Sequence, residues 1–213
     1  QYHAWTEINV PQRPFEIENV DTVTVPLAQS GYTTEYLRYR ITINDRPNET
    51  NYYRIVIDKQ TTLWGYNHEE GGDDYIYWTK HSYNFIGRED VVLTDGQPTT
   101  GDDEDNGLFD TAKNIYGVFD DTRFRNTSYT MTVYNNTKIE TGSDSGYFSG
   151  MDVIIRLMSI TETEYYYLKA LNLVDSDAYD ETINEPIKYP SNVHGGTGMV
   201  GISTEVTQTI HII

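Results

Sequence analysis

Along most of this chain, apolar and polar residues alternate at every second position. A period of two is met only by a strand that buries one face and wets the other. Leu37, Tyr39, Ile41 and Ile43 share one side, while Arg38, Arg40, Thr42 and Asn44 share the opposite one. Asp45-Arg46-Pro47-Asn48-Glu49-Thr50-Asn51 is turn chemistry, after which Tyr53, Ile55 and Ile57 resume the alternation against Tyr52, Arg54 and Val56. The same pattern runs through Val23-Thr24-Val25-Pro26-Leu27, through Tyr129-Thr130-Met131-Thr132-Val133, and through Val206, Gln208, Ile210 and Ile212. Met151 to Met158 is more continuously apolar, as expected of a central strand buried on both faces. Strands spread over the whole length predict an all-β fold, an antiparallel β-sandwich.

One segment departs from the period of two. Thr161-Glu162-Thr163-Glu164 has the form of a capping box, and Tyr165, Leu168 and Leu171 follow at helical spacing. This predicts one short helix of about ten residues whose apolar stripe covers an open end of the sandwich. Between about 61 and 107 the pattern loosens into an expected long hairpin, Trp64 to Tyr75 forming its tip, followed by an acidic, glycine-rich loop. Both read as insertions into a single β-sandwich domain spanning 1–213, a length that suits one large domain.

Charge and cysteine content narrow the chemistry. Fifteen Lys and Arg stand against 33 Asp and Glu, a net charge of −18 that repels phosphate backbones and anionic lipid headgroups, so no nucleic-acid partner is expected. Cysteine is absent, which excludes disulfides, thiolate metal sites and cysteine nucleophiles. No apolar run approaches the roughly 20 residues needed to cross a bilayer. The start at Gln1 lacks a signal peptide and reads as a mature or trimmed, soluble segment.

The motifs are weaker than the strand pattern. Gly196-Thr197-Gly198-Met199-Val200-Gly201 has the letters of a dinucleotide fingerprint, but a β-branched strand follows it where a helix would be needed, so it reads as a glycine-rich turn. Asp102-Asp103-Glu104-Asp105-Asn106-Gly107 resembles the front of a calcium loop, with Lys113 where an EF-hand requires Glu; a looser calcium site would use Asp102, Asp103, Asp105 and Asp110. Otherwise no cofactor is expected. His3, His68, His81, His194 and His211 show no ligand spacing, and no nucleophile elbow is present. Asn48, Asn126 and Asn135 head sequons that carry glycans only in a eukaryotic secretory setting. Trp64, Tyr66, Tyr75, Tyr77 and Trp78 cluster around a loop rich in Gly and Asp, and rings of this kind stack on sugars or anchor interfaces at low entropic cost. These five are the candidate ligand-binding residues; the alternative is packing within a sheet.

Several segments together resemble the DUF4249 family, a Bacteroidetes group of surface lipoproteins. Asp45 to Arg54 is similar to the family's turn and NYY strand, and Tyr116 to Phe124 to its F-S-D-x-x-F segment, with Asp120 in place of Ser. Tyr165-Tyr166-Tyr167-Leu168 resembles its helix. Glu185 to Val193, followed by Gly195-Gly196-Thr197-Gly198, resembles its closing signature. The resemblance implies an Ig-like or fibronectin-III-like sandwich. It also implies outer-membrane anchoring through a lipobox cysteine and an upstream N-terminal β-domain, both expected outside this chain, and association with a TonB-dependent transporter. No catalytic residues carry over.

The expected function is therefore a non-enzymatic cell-surface module that binds a nutrient or partner, glycan or peptide, beside a transporter or sibling lipoprotein. The alternatives are a structural scaffold subunit of a surface complex and a hydrolase acting on glycans. The last requires two carboxylates, or a histidine and a carboxylate, converging in one pocket.

Overall fold

The computed structural model describes residues 3–29, 32–67, 74–83, 90–96, 114–136, 147–175 and 187–212. Two antiparallel sheets pack face to face. The smaller joins β1 (Asn19–Gln29), β2 (Tyr32–Asn44) and β6 (Ser128–Asn136), with β2 in the middle. The larger has the order β4 (Asp74–Ser82), β3 (Tyr52–Asn67), β7 (Tyr147–Ile160), β8 (Thr204–His211). The short β5 (Val118–Asp120) pairs with Tyr52–Arg54 at one end of β3, and β4 pairs with Lys59–Asn67 at the other. The expected hairpin is thus continuous with the sandwich: its first arm is the far end of the long central strand β3, and its second arm is β4.

The sandwich forms because the alternating apolar sets meet. Leu37, Tyr39, Ile41 and Ile43 of β2 and Met131 and Val133 of β6 share one buried cluster with Tyr53, Ile55 and Ile57 of β3, Val153, Ile155 and Leu157 of β7, and Val206 of β8. Complete burial of such side chains contributes about 1.5–3 kcal/mol each. Two expectations are corrected. β7 is central, but its burial alternates, because its outward residues Ile154, Arg156 and Met158 are only half-covered. In β1 the register sets Thr22 opposite the buried Tyr39, so Val23 faces outward, 39% exposed; on an edge strand the partner's register decided which face went in.

Helix α1 (Glu162–Val174) starts where the capping signal placed it: the Thr161 hydroxyl accepts from the Glu164 backbone N–H at 3.2 Å. It is longer than expected and lies elsewhere. Tyr165 and Leu168 pack with Val118, Ile160, Tyr52 and Met158 on the outer face of the larger sheet, so the helix forms a third layer over one end of that sheet. It does not plug the opening between the sheets. Asn48 and Asn126, two of the sequon asparagines, adopt left-handed backbone, φ 69° and 62°, and the Asn48 N–H donates to Asn126 Oδ1 at 3.0 Å, which accounts for both as turn residues.

Candidate functional site

Even-numbered residues of β3 point away from the core, and the strand register extends them into rows across the outer face of the larger sheet. Beyond the helix, toward the hairpin tip, Tyr77 of β4, Trp64 of β3 and Tyr147 of β7 form one row. Trp64 stacks on Tyr147 with ring centroids 4.6 Å apart and meets Tyr75 at 5.5 Å. Tyr75, Tyr77 and Tyr147 are each more than half exposed. The next row is low: Thr79, Thr62 and Gly150, next to a register shift in the β3–β7 pairing. Then comes a polar row of His81, Gln60, Asp152 and His211, contributed by all four strands. His81 Nδ1 lies 3.0 Å from both oxygens of the buried Asp58, to which Gln60 Nε2 also donates at 2.8 Å. At the other edge, His211 Nδ1 lies 2.6 Å from Asp152 Oδ1.

The five aromatics expected to bind divide between two faces. Trp64, Tyr75 and Tyr77 are on the outer face. Trp78 is opposite Leu63 on the inner side, its ring close over Gly65, where an added Cβ would sit 3.1 Å away; its Nε1 is buried without a partner. Tyr66 pairs with Tyr75 in the ladder, and its side chain lies outside the described residues. Asp102, Asp103, Asp105 and Asp110 also lie outside them, and so does His68. Among the described residues, no three His, Asp or Glu side chains are grouped to hold a metal. Sequence reasoning missed Tyr147, Gln60, Asp152 and the two His–Asp pairs. Outward alternation on β3 signalled Gln60; the others depend on which strands are neighbours.

The opposite end of the sheet is dense with buried polar contacts. Asp121 is fully buried, and its carboxylate accepts from the Asn51 backbone N–H at 2.8 Å, Asn51 Nδ2 at 3.1 Å and Arg125 Nη2 at 3.0 Å. Buried Asp45 accepts from the Tyr53 hydroxyl at 3.1 Å and the Asn126 N–H at 2.9 Å. Burial, with Asp45 beside it, raises the Tyr53 phenol well above its ordinary pKa. Tyr165 donates to Asp120 at 3.1 Å; burial pushes the Asp120 carboxyl up, but its hydrogen bonds from Thr122 and Tyr165 outweigh that and hold it below its usual value. In the closing segment Asn192 bridges to Val200 through both amide atoms, and Gly195 at φ 77° passes so close to the His3 carbonyl that a side chain would collide with it. Gly196 to Gly201 leads into β8 without an intervening helix, as the turn reading expected.

A cleft of about 480 Å³ also opens at this end, between the N-terminal segment around Val10 and Pro11, the Glu49–Tyr52 loop and the start of α1. Its carboxylates include Glu162, which accepts from the Tyr52 hydroxyl at 2.8 Å. Both His–Asp pairs lie outside this cleft, on the open sheet face.

These features define a class: a two-sheet β-sandwich with a helix over one end of its outer face and an aromatic and polar surface that no described residue covers over the rest. The chain belongs to the DUF4249 family, whose model, described as a domain of unknown function, matches residues 1–209. No curated protein matches it. Three of the segments that carry the resemblance, 45–54, 116–124 and 165–168, meet at the helix end in the contacts just described. No helix among the described residues is long and apolar enough to cross a membrane.

Proposed function

We propose that this chain is a non-enzymatic binding module of a cell-surface lipoprotein, which captures a nutrient on the outer face of its larger sheet and delivers it to a TonB-dependent outer-membrane transporter. The observation that carries the reading is the aromatic row of Tyr77, half-buried Trp64 and Tyr147, its two tyrosines more than half exposed, beside a polar row. Contiguous exposed rings on a folded domain signal an interaction surface, because apolar area left in water is normally minimised. Lipid anchoring and the transporter rest on the family's properties.

Two measurements test the proposal. Thermal unfolding is followed against mixed soluble oligosaccharides and a casein peptide digest, for the wild type and for Tyr147→Ala. A ligand that binds only the folded state raises the midpoint. A rise in the wild type that is lost in the variant supports capture on this face; no rise with either mixture, or an identical rise in both proteins, overturns it. Affinity purification of the lipoprotein from its own membranes is expected to recover a TonB-dependent transporter in stoichiometric amount, and recovery of the lipoprotein alone overturns the delivery step.

A further inference from the structure

We infer that the ligand of the outer face is an uncharged glycan lying along β3 and β7, a ring of it against Tyr147 and its hydroxyls donated to the polar row. The inference rests on the reading of that face as a binding surface. It follows from the hydrogen-bonding character of the polar row, which is strongly one-sided.

Each histidine of the row uses Nδ1 toward a carboxylate, His81 toward Asp58 and His211 toward Asp152. In the neutral ring a carboxylate at Nδ1 favours the tautomer protonated there, which leaves Nε2 as an acceptor. Gln60 gives an amide N–H to Asp58 and so retains its carbonyl oxygen to accept. Asp152 is itself an acceptor and is half-exposed. Two imidazole nitrogens, an amide oxygen and a carboxylate therefore line up across four strands with no Lys or Arg among them. Such a row suits sugar hydroxyls, each of which can rotate its hydrogen toward whichever acceptor faces it, whereas the N–H groups of a peptide point in directions fixed by its backbone.

Shape and charge agree. The aromatic and polar rows are four residues apart along β3, about 13 Å at strand spacing. Between them Thr79, Thr62 and Gly150 keep the surface low, so the face has a wall of rings, a shallow floor and a wall of acceptors. β8 ends at His211, opposite Asp152, so among the described strands none flanks Tyr147 on the side away from Trp64. A pyranose face can lie there on flat apolar area. The net charge of −18 opposes polyanionic chains. A polycation is also rich in donors, but Asp58 is buried, and the only carboxylate in the row itself is Asp152.

The test is affinity electrophoresis and titration calorimetry with neutral β-glucan, xylan and mannan, and with polygalacturonate, oligolysine and casein peptides. At least one neutral glycan is expected to bind, with affinity lowered about tenfold by Tyr147→Ala, whose unfolding midpoint stays near that of the wild type, and comparably by Gln60→Ala, measured well below that variant's own unfolding midpoint because it takes a donor from buried Asp58. Peptide, oligolysine or polygalacturonate binding that Tyr147→Ala abolishes, with no neutral glycan bound, overturns the glycan assignment while the face remains a binding surface. If no probe's binding responds to Tyr147→Ala, both readings fall.

Discussion

The two ends of the larger sheet's outer face carry similar side chains in opposite circumstances. At the helix end, Tyr52 packs on Tyr165 with centroids 4.9 Å apart and its hydroxyl reaches Glu162, while α1 covers Ile160. At the tip, Tyr75, Tyr77 and Tyr147 extend from the same strands and their pairing partners and remain more than half exposed. The helix end also contains buried Asp45 and Asp121, each held by several donors; a network of that kind costs dearly when one member is removed. At the tip, the rings of Tyr77 and Tyr147 are largely in solvent. One end is organised to hold the fold, and the other, among the described residues, is left open and carries the proposed binding rows.

The largest expected effect that could break this comparison is at Asp121. Its removal in Asp121→Ala strands the Asn51 N–H and takes a charged acceptor from half-exposed Arg125, and should cost about 2–4 kcal/mol in urea unfolding. A loss below 1 kcal/mol, on the order of a surface change, would mean that the helix end is not the anchor described. Thr161→Ala, which removes the N-cap acceptor of α1, should cost about 1 kcal/mol by the same measurement.

A smaller, pH-dependent effect is expected at Glu164. Burial pushes its carboxyl up, only partly opposed by Arg54, and its Oε2 is enclosed beside Gly201 with no hydrogen-bond partner among the described residues. With the folded pKa above the unfolded one, the native state holds the proton more tightly. Stability is then lost as pH rises from the ordinary glutamate range through the raised value. Glu164→Gln should therefore raise the unfolding midpoint at neutral pH, and the gain should vanish in acid, where the wild-type side chain is protonated as well. A midpoint difference independent of pH would sink this account. At the small end, Tyr77→Ala should leave stability within about 0.5 kcal/mol, because its ring is largely in solvent. A substantial loss would show that the tip is structural after all.

Much of the sandwich was legible because its signals are local. Leu37 to Ile43 and Tyr53 to Ile57 read as strands from their own alternation, and the Thr161 cap marked the start of α1 to the residue. The candidate site was legible only in part. Trp64, Tyr75 and Tyr77 stood out as aromatics, but so did Trp78, and one residue of parity separates the outer face from the inner one. Tyr147 gave no sign of joining Trp64, since that contact exists only once β7 pairs with β3.

The amino-acid order by itself determined which segments are strands, where the helix begins and that one face of each strand is apolar, because side-chain period and capping act between near neighbours. Only the tertiary structure decided which strands lie side by side. It thereby sent Val23 out and Thr22 in, laid α1 over the sheet, and assembled His81, Gln60, Asp152 and His211 into one row. Pairing between distant strands is chosen by the combined burial of both sheets, a quantity that no single segment carries.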